Sequence, residues 1–135
     1  MYKRKILLLI ILVCAVFGLT ACKEAKEQSD TPTEVTEHFF SAFETSDYEK
    51  MKAYCTENCI DLYFHEGDVN GMVRAKAQEI GEEETENDQA VYVFVTVEME
   101  TAKTSALYPE TETSFYVKLI QKDGSWLIDS FPTGK

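Results

Sequence analysis

Residues 91–99, VYVFVTVEM, decide the fold. Val91, Val93, Val95, Val97 and Met99 alternate with Tyr92, Phe94, Thr96 and Glu98, so a period of two lays five apolar side chains on one face. Branched valines suit a pleated surface, because a helix would restrict their χ1 freedom. The other face starts aromatic at Tyr92 and Phe94 and turns polar at Thr96 and Glu98. A strand with one wholly apolar face needs a second layer to cover it.

Toward the C-terminus, residues 101–113 contain Pro109 and read as a loop or wide turn. Residues 114–121 read as a strand, Asp123-Gly124 as a two-residue hairpin turn, and 125–131 (SWLIDSF) as the last strand. That turn sets a register: Lys122 faces Ser125, Leu119 faces Ile128, Lys118 faces Asp129 and Tyr116 faces Phe131. Lys118 and Asp129 then form a cross-strand charge pair, worth about 0.2–1 kcal/mol. Val117, Leu119, Trp126 and Ile128 share one face.

Toward the N-terminus, residues 81–90 (GEEETENDQA) carry five acids and predict a solvated hairpin tip. Residues 72–80 (MVRAKAQEI) mix helix formers with a strand-like position; the reading is strand. Gly67 and Gly71 break a helical pattern. Before them, Thr31-Pro32-Thr33-Glu34 is a capping box with proline at the first helical position. Val35, Phe39, Phe40, Ala42 and Phe43 follow at helical spacing. Ser46-Asp47-Tyr48-Glu49 offers a second capping box ahead of Tyr48, Met51, Tyr54 and Cys55. A third short helix runs from about Thr56 through Ile60, Tyr63 and Phe64. Helices first and antiparallel strands afterwards give an α+β class, with helices laid across one face of a sheet of about four strands.

The first 21 residues are of another kind. MYKRK is a positive start, 6–17 (ILLLIILVCAVF) is an apolar run of twelve, and small residues follow Gly18. This is an export signal, too short for a comfortable membrane span. Leu19-Thr20-Ala21-Cys22 resembles the lipobox of bacterial lipoproteins, which implies removal of 1–21 and acylation of Cys22 through a thioether. Residues 22–31 then form the lipidated cysteine and a polar tether, and 32–135 the folded domain. The expected location is the bacterial cell envelope, on the extracytoplasmic side of the membrane. Three of the 13 cationic residues fall at 3–5, and none of the 24 acids precedes Cys22. The remainder carries 10 cations against 24 acids, a balance of −14. Nucleic acid is a poor partner for such a domain.

PTEVTEHFFSAFETSDYEKMKAY resembles the opening helices of nuclear-transport-factor-2-like (cystatin-like) domains, and QKDGSWLIDSF resembles their closing hairpin. The middle, YFHEGDVNGMVRAKAQEI, is similar to the same region of a bacterial lipoprotein family with that fold. The resemblance covers about residues 32–132. It implies a cone, a bent sheet wrapped around the helices with a pocket at the open end, and dimers through the outer sheet face. It includes enzymes of isomerase, hydrolase and dehydratase type beside many non-catalytic members, so it does not choose a function.

The candidate residues are few. His38 and His65 are the histidines; each has a core-edge or surface reading beside a catalytic one. Cys55 and Cys59 are the thiols of the mature domain, open to a disulfide in an exported protein or to two buried free thiols. A metal site on them with His65 lacks an obvious fourth ligand. Glu82, Glu83, Glu84, Glu86 and Asp88 have no EF-hand pattern and read as a solvated turn. Tyr92, Phe94, Tyr116 and Phe131 form an interface patch if the strands align, or are covered if the sheet bends over them. The expectation is a membrane-anchored, non-catalytic domain without cofactor or metal. It would bind a small apolar ligand or a protein, or pair with a second copy. A small-molecule enzyme with a polar pocket is the alternative.

Overall fold

The computed structural model describes residues 29–134. The expected signal peptide, Cys22 and most of the expected tether lie outside these residues. Helix α1 spans Pro32–Glu44 and starts as its sequence dictates: Thr31 Oγ1 accepts from Glu34 N at 3.2 Å, and Thr31 N donates to Glu34 Oε2 at 2.8 Å. Those bonds hold the Glu34 carboxyl below its usual range. Val35, Phe39, Phe40, Ala42 and Phe43 are buried on one face. Thr36 is buried with them, its hydroxyl satisfied by donating to Pro32 O at 2.8 Å.

Helix α2, Tyr48–Lys52, is capped by Asp47 rather than by Ser46. Ser46 instead takes a left-handed φ of 54° and donates its hydroxyl to Val73 O at 2.9 Å, tying the helix connection to the sheet. Helix α3, Glu57–Tyr63, is capped by Thr56. No described helix is long and apolar enough to cross a membrane.

The sheet has six strands, not four: β1 Phe64–His65, β2 Asp68–Val69, β3 Met72–Asn87, β4 Ala90–Thr101, β5 Glu112–Lys122 and β6 Ser125–Ser130. They follow one another in an antiparallel meander. The two extra strands are short hairpin arms. Gly67 and Gly71 turn the chain at φ 87° and 80°, with Asn70 at 51°. Glycine takes such angles at no steric cost.

Two further expectations are corrected. The acidic stretch 81–87 continues β3, and the tip shrinks to Asp88-Gln89, where Asn87 Oδ1 accepts from Gln89 N at 2.9 Å. An outer strand with water beside it tolerates glutamates that a central strand would not. The β5–β6 register holds at Lys122↔Ser125 and Leu119↔Ile128, but then Lys118 pairs with Ser130. Asp129 is the extra residue of a bulge. Its carboxylate accepts from Thr56 Oγ1 at 2.8 Å, and Lys118 pairs with Glu86 at 3.4 Å instead. The bulge reverses the alternation, so Phe131 turns inward and is buried.

The helices cover the face formed by Val91, Val93, Val95, Val97 and Met99, all buried as the alternation predicts. Phe39 is the hub, with Phe40 at 5.2 Å, Phe131 at 5.6 Å and Phe43 at 5.8 Å between ring centroids. Edge-to-face contacts of this kind add to the area buried.

Candidate functional site

A groove of about 610 Å³ lies between the α3–β2 segment, the 102–107 loop, the start of β5 and the chain after β6. Its apolar wall is Tyr63, Leu107, Phe115 and Phe131. The rings interlock, with Tyr63–Phe131 at 4.9 Å and Phe115–Phe131 at 5.8 Å. The β6 bulge makes this wall, because without it Phe131 would stand on the outer face. Leu62, on the rim, is 56% exposed.

The polar side comes from the short hairpins and the loop opposite. Asp68 Oδ1 accepts from Gly71 N at 3.0 Å, and His65 Nδ1 lies 3.4 Å away. The Asp68 side chain is 16% exposed and that of His65 is 59% exposed. Gly71 packs on Ser105 so closely that a Cβ there would overlap the Ser105 hydroxyl. Ala102 N donates to Gly71 O at 3.0 Å, so the loop and the hairpin form one rim. Thr104, Ser105, Thr113 and Asn70 add uncharged polar groups to the lining. The volume is in the range of small-molecule sites.

The site has a fixed position relative to the start of the domain. Glu83 Oε1 accepts from Thr33 N at 3.1 Å and from Thr33 Oγ1 at 2.8 Å, which pins the first turn of α1 to the β3–β4 arm. A carboxylate there also complements the helix dipole. Ser29 and Asp30 lie beside Ser125 and Trp126, at the same end. Ser46, just after α1, bonds Val73 at the groove end. The 13 residues of α1 run about 20 Å between these ends. The chain therefore enters the domain at one end and the groove opens at the other.

The other candidates fall as follows. His38 is exposed, 3.6 Å from Asp30 and stacked on Tyr54, far from the groove lining. Tyr92, Phe94 and Tyr116 do share the outer face, with Tyr116 6.2 Å from Tyr92 and 5.1 Å from Phe94. Phe94 is 39% exposed, and Lys118 lies 5.5 Å over the Tyr92 ring. Phe131 is not part of this patch. Cys55 and Cys59 are both buried, and no bond joins them in this structure. The helix breaks between them at Thr56, and Cys55 Sγ lies 3.4 Å from Met51 O. A hydrogen bond with Cys59, and then burial, push the Cys55 thiol far up. Among the described residues no three His, Cys, Asp or Glu side chains are placed to hold a metal.

Sequence reasoning placed His65 beside the right hairpin and missed Asp68, Ser105, Leu107 and Thr113. The two glycines marked the hairpins as breaks, but the loop 102–111 carries no periodicity that aims it at them.

No family model and no curated protein matches the chain. Among solved structures, one described as an Ntf2-like protein involved in plasmid conjugation superposes with a TM-score of 0.51 at 12% identity. The fold is nuclear-transport-factor-2-like. The match covers 75% of this chain and 36% of that one, so this chain corresponds to about a third of its length. At that identity the likeness carries the architecture and not the activity.

Proposed function

We propose that the protein is an extracytoplasmic lipoprotein whose domain is a non-catalytic binding module. The groove holds a small amphipathic ligand. The observation that carries this reading is the placement of the groove at the end of the cone opposite the chain's entrance. A lipid on Cys22 would hold the entrance end near the membrane and present the groove outward. An apolar wall facing uncharged hydroxyls suits a ligand with one greasy and one polar side. Two acyl chains give stable anchoring at about 0.8 kcal/mol per buried methylene.

The test uses the full-length product in lipid nanodiscs, screened by thermal shift against small amphiphiles. A ligand at one hundred times its Kd adds about 2.7 kcal/mol, a shift of several degrees. Thr113→Trp, which fills the groove from β5, abolishes that shift. A screen without a hit, or hits that survive Thr113→Trp, would sink the reading. Anchoring is tested separately. Mass spectrometry finds acyl chains on Cys22, and Cys22→Ala yields an unacylated, poorly processed chain; an unmodified wild-type Cys22 refutes it.

The pairing of His65 with Asp68 on the rim favours one second reading, a small-molecule enzyme with His65 as the proton-transfer group. It ranks lower because the ring faces water, and its 3.4 Å contact is too long for a firm orienting bond. Turnover of any groove ligand, lost in His65→Ala, would reverse the order.

A further inference from the structure

We infer that the groove selects small organic cations, an ammonium head on an aromatic or aliphatic body. This deepens the binding-module reading and rests on it.

Among the described residues Asp68 is the only carboxylate in the lining, and no lysine or arginine lines the groove. Its side chain is largely withdrawn from water, where a charge attracts its opposite more strongly than at an open surface. Oδ1 is committed to Gly71 N and His65. Oδ2 carries no bond to the described residues, so Asp68 keeps one acceptor that the protein does not use. Across from it stand the rings of Tyr63, Phe115 and Phe131, which take an apolar body and whose faces also attract a cation.

The field of the whole domain points the same way. With 10 cations against 24 acids beyond the leader, it attracts cations and repels anions during approach. Among the described residues an anionic head would find no lysine or arginine in the lining and a like charge at Asp68.

Three probes with one body and three heads separate the terms: 2-phenylethylamine, 2-phenylethanol and 3-phenylpropanoate. Each is titrated against the full-length product in zwitterionic nanodiscs by saturation-transfer NMR, with empty nanodiscs subtracted. The amine binds about ten-fold tighter than the alcohol, as expected for a hydrogen bond to a charged group. The carboxylate binds more weakly than either. Asp68→Asn keeps an oxygen for Gly71 N and removes the charge, so it closes the gap between amine and alcohol. If that variant does not fold, Thr113→Asp serves instead, because a second carboxylate in the lining widens the gap.

An amine no tighter than the alcohol, or a gap that persists in Asp68→Asn or fails to widen in Thr113→Asp, overturns the cation preference. Alcohol binding that Thr113→Trp abolishes would then leave the groove standing as a neutral site. If none of the three probes binds, the cation preference falls, and the broader amphiphile screen decides the groove by itself.

Discussion

Gly71 carries two constraints at once, a φ of 80° and a close approach to Ser105. Gly71→Ala therefore strains the backbone and drives the 102–107 loop outward. The expected loss is about 1–3 kcal/mol, read as a lower urea midpoint. Adding Ser105→Gly recovers the contact part and leaves the backbone part. A midpoint unchanged in Gly71→Ala would show that the rim is not tied as described. In the sequence Gly71 was legible only as a break, because its neighbour Ser105 is brought there by tertiary packing. The cysteines give a second residue-scale expectation. With the Cys55 thiol pushed up and both sulfurs buried, the folded protein resists iodoacetamide at pH 8 and takes up two equivalents once unfolded. Alkylation at equal rates in both states would contradict the burial, and a mass gain of two hydrogens on reduction would reveal a bridge.

Strand β3 is the element with the most at risk. Beyond Met72 no described strand pairs with its outer edge, although it runs on to Asn87. Register shifts at Ala77/Glu79 and Ile80/Glu83 kink that edge, and glutamates line it. Both features discourage a second chain from adding to the sheet. Glu79→Val with Glu82→Val is expected to leave the melting temperature nearly unchanged and to raise light scattering on storage. Scattering equal to that of the unmodified protein would show that the kinks alone suffice. The acidic stretch was legible as solvated and illegible as strand, since local propensity does not register that β4 supplies a ladder along its whole length. The β5–β6 turn was legible too. The bulge was not, because Thr56 draws Asp129 out of the ladder from 73 residues away.

For the whole molecule, the helices-then-strands order and the alternation of 91–99 were enough for the α+β class with helices on one sheet face, but not for the two short hairpin strands that make the sheet six-stranded. The groove needs four separate segments to meet, which no single stretch records. The outer face poses the question of a second copy. Tyr92, Phe94 and Tyr116 form a compact aromatic cluster there, and both the strand alternation and the resemblance raised pairing through this face. Light scattering of residues 23–135, compared with the same chain carrying Tyr92→Ser and Phe94→Ser, decides it. A dimer that dissociates in the double variant supports pairing, and a monomer at micromolar concentration removes it. A final consequence follows from the Glu83 clasp on Thr33. A domain held at Cys22 while its groove grips something fixed would bear tension, and that tension would arrive at the first turn of α1. Fraying there is normally the weak point of a helix under load. The clasp would pass part of such a load from the first turn of α1 into the β3–β4 arm that carries Glu83.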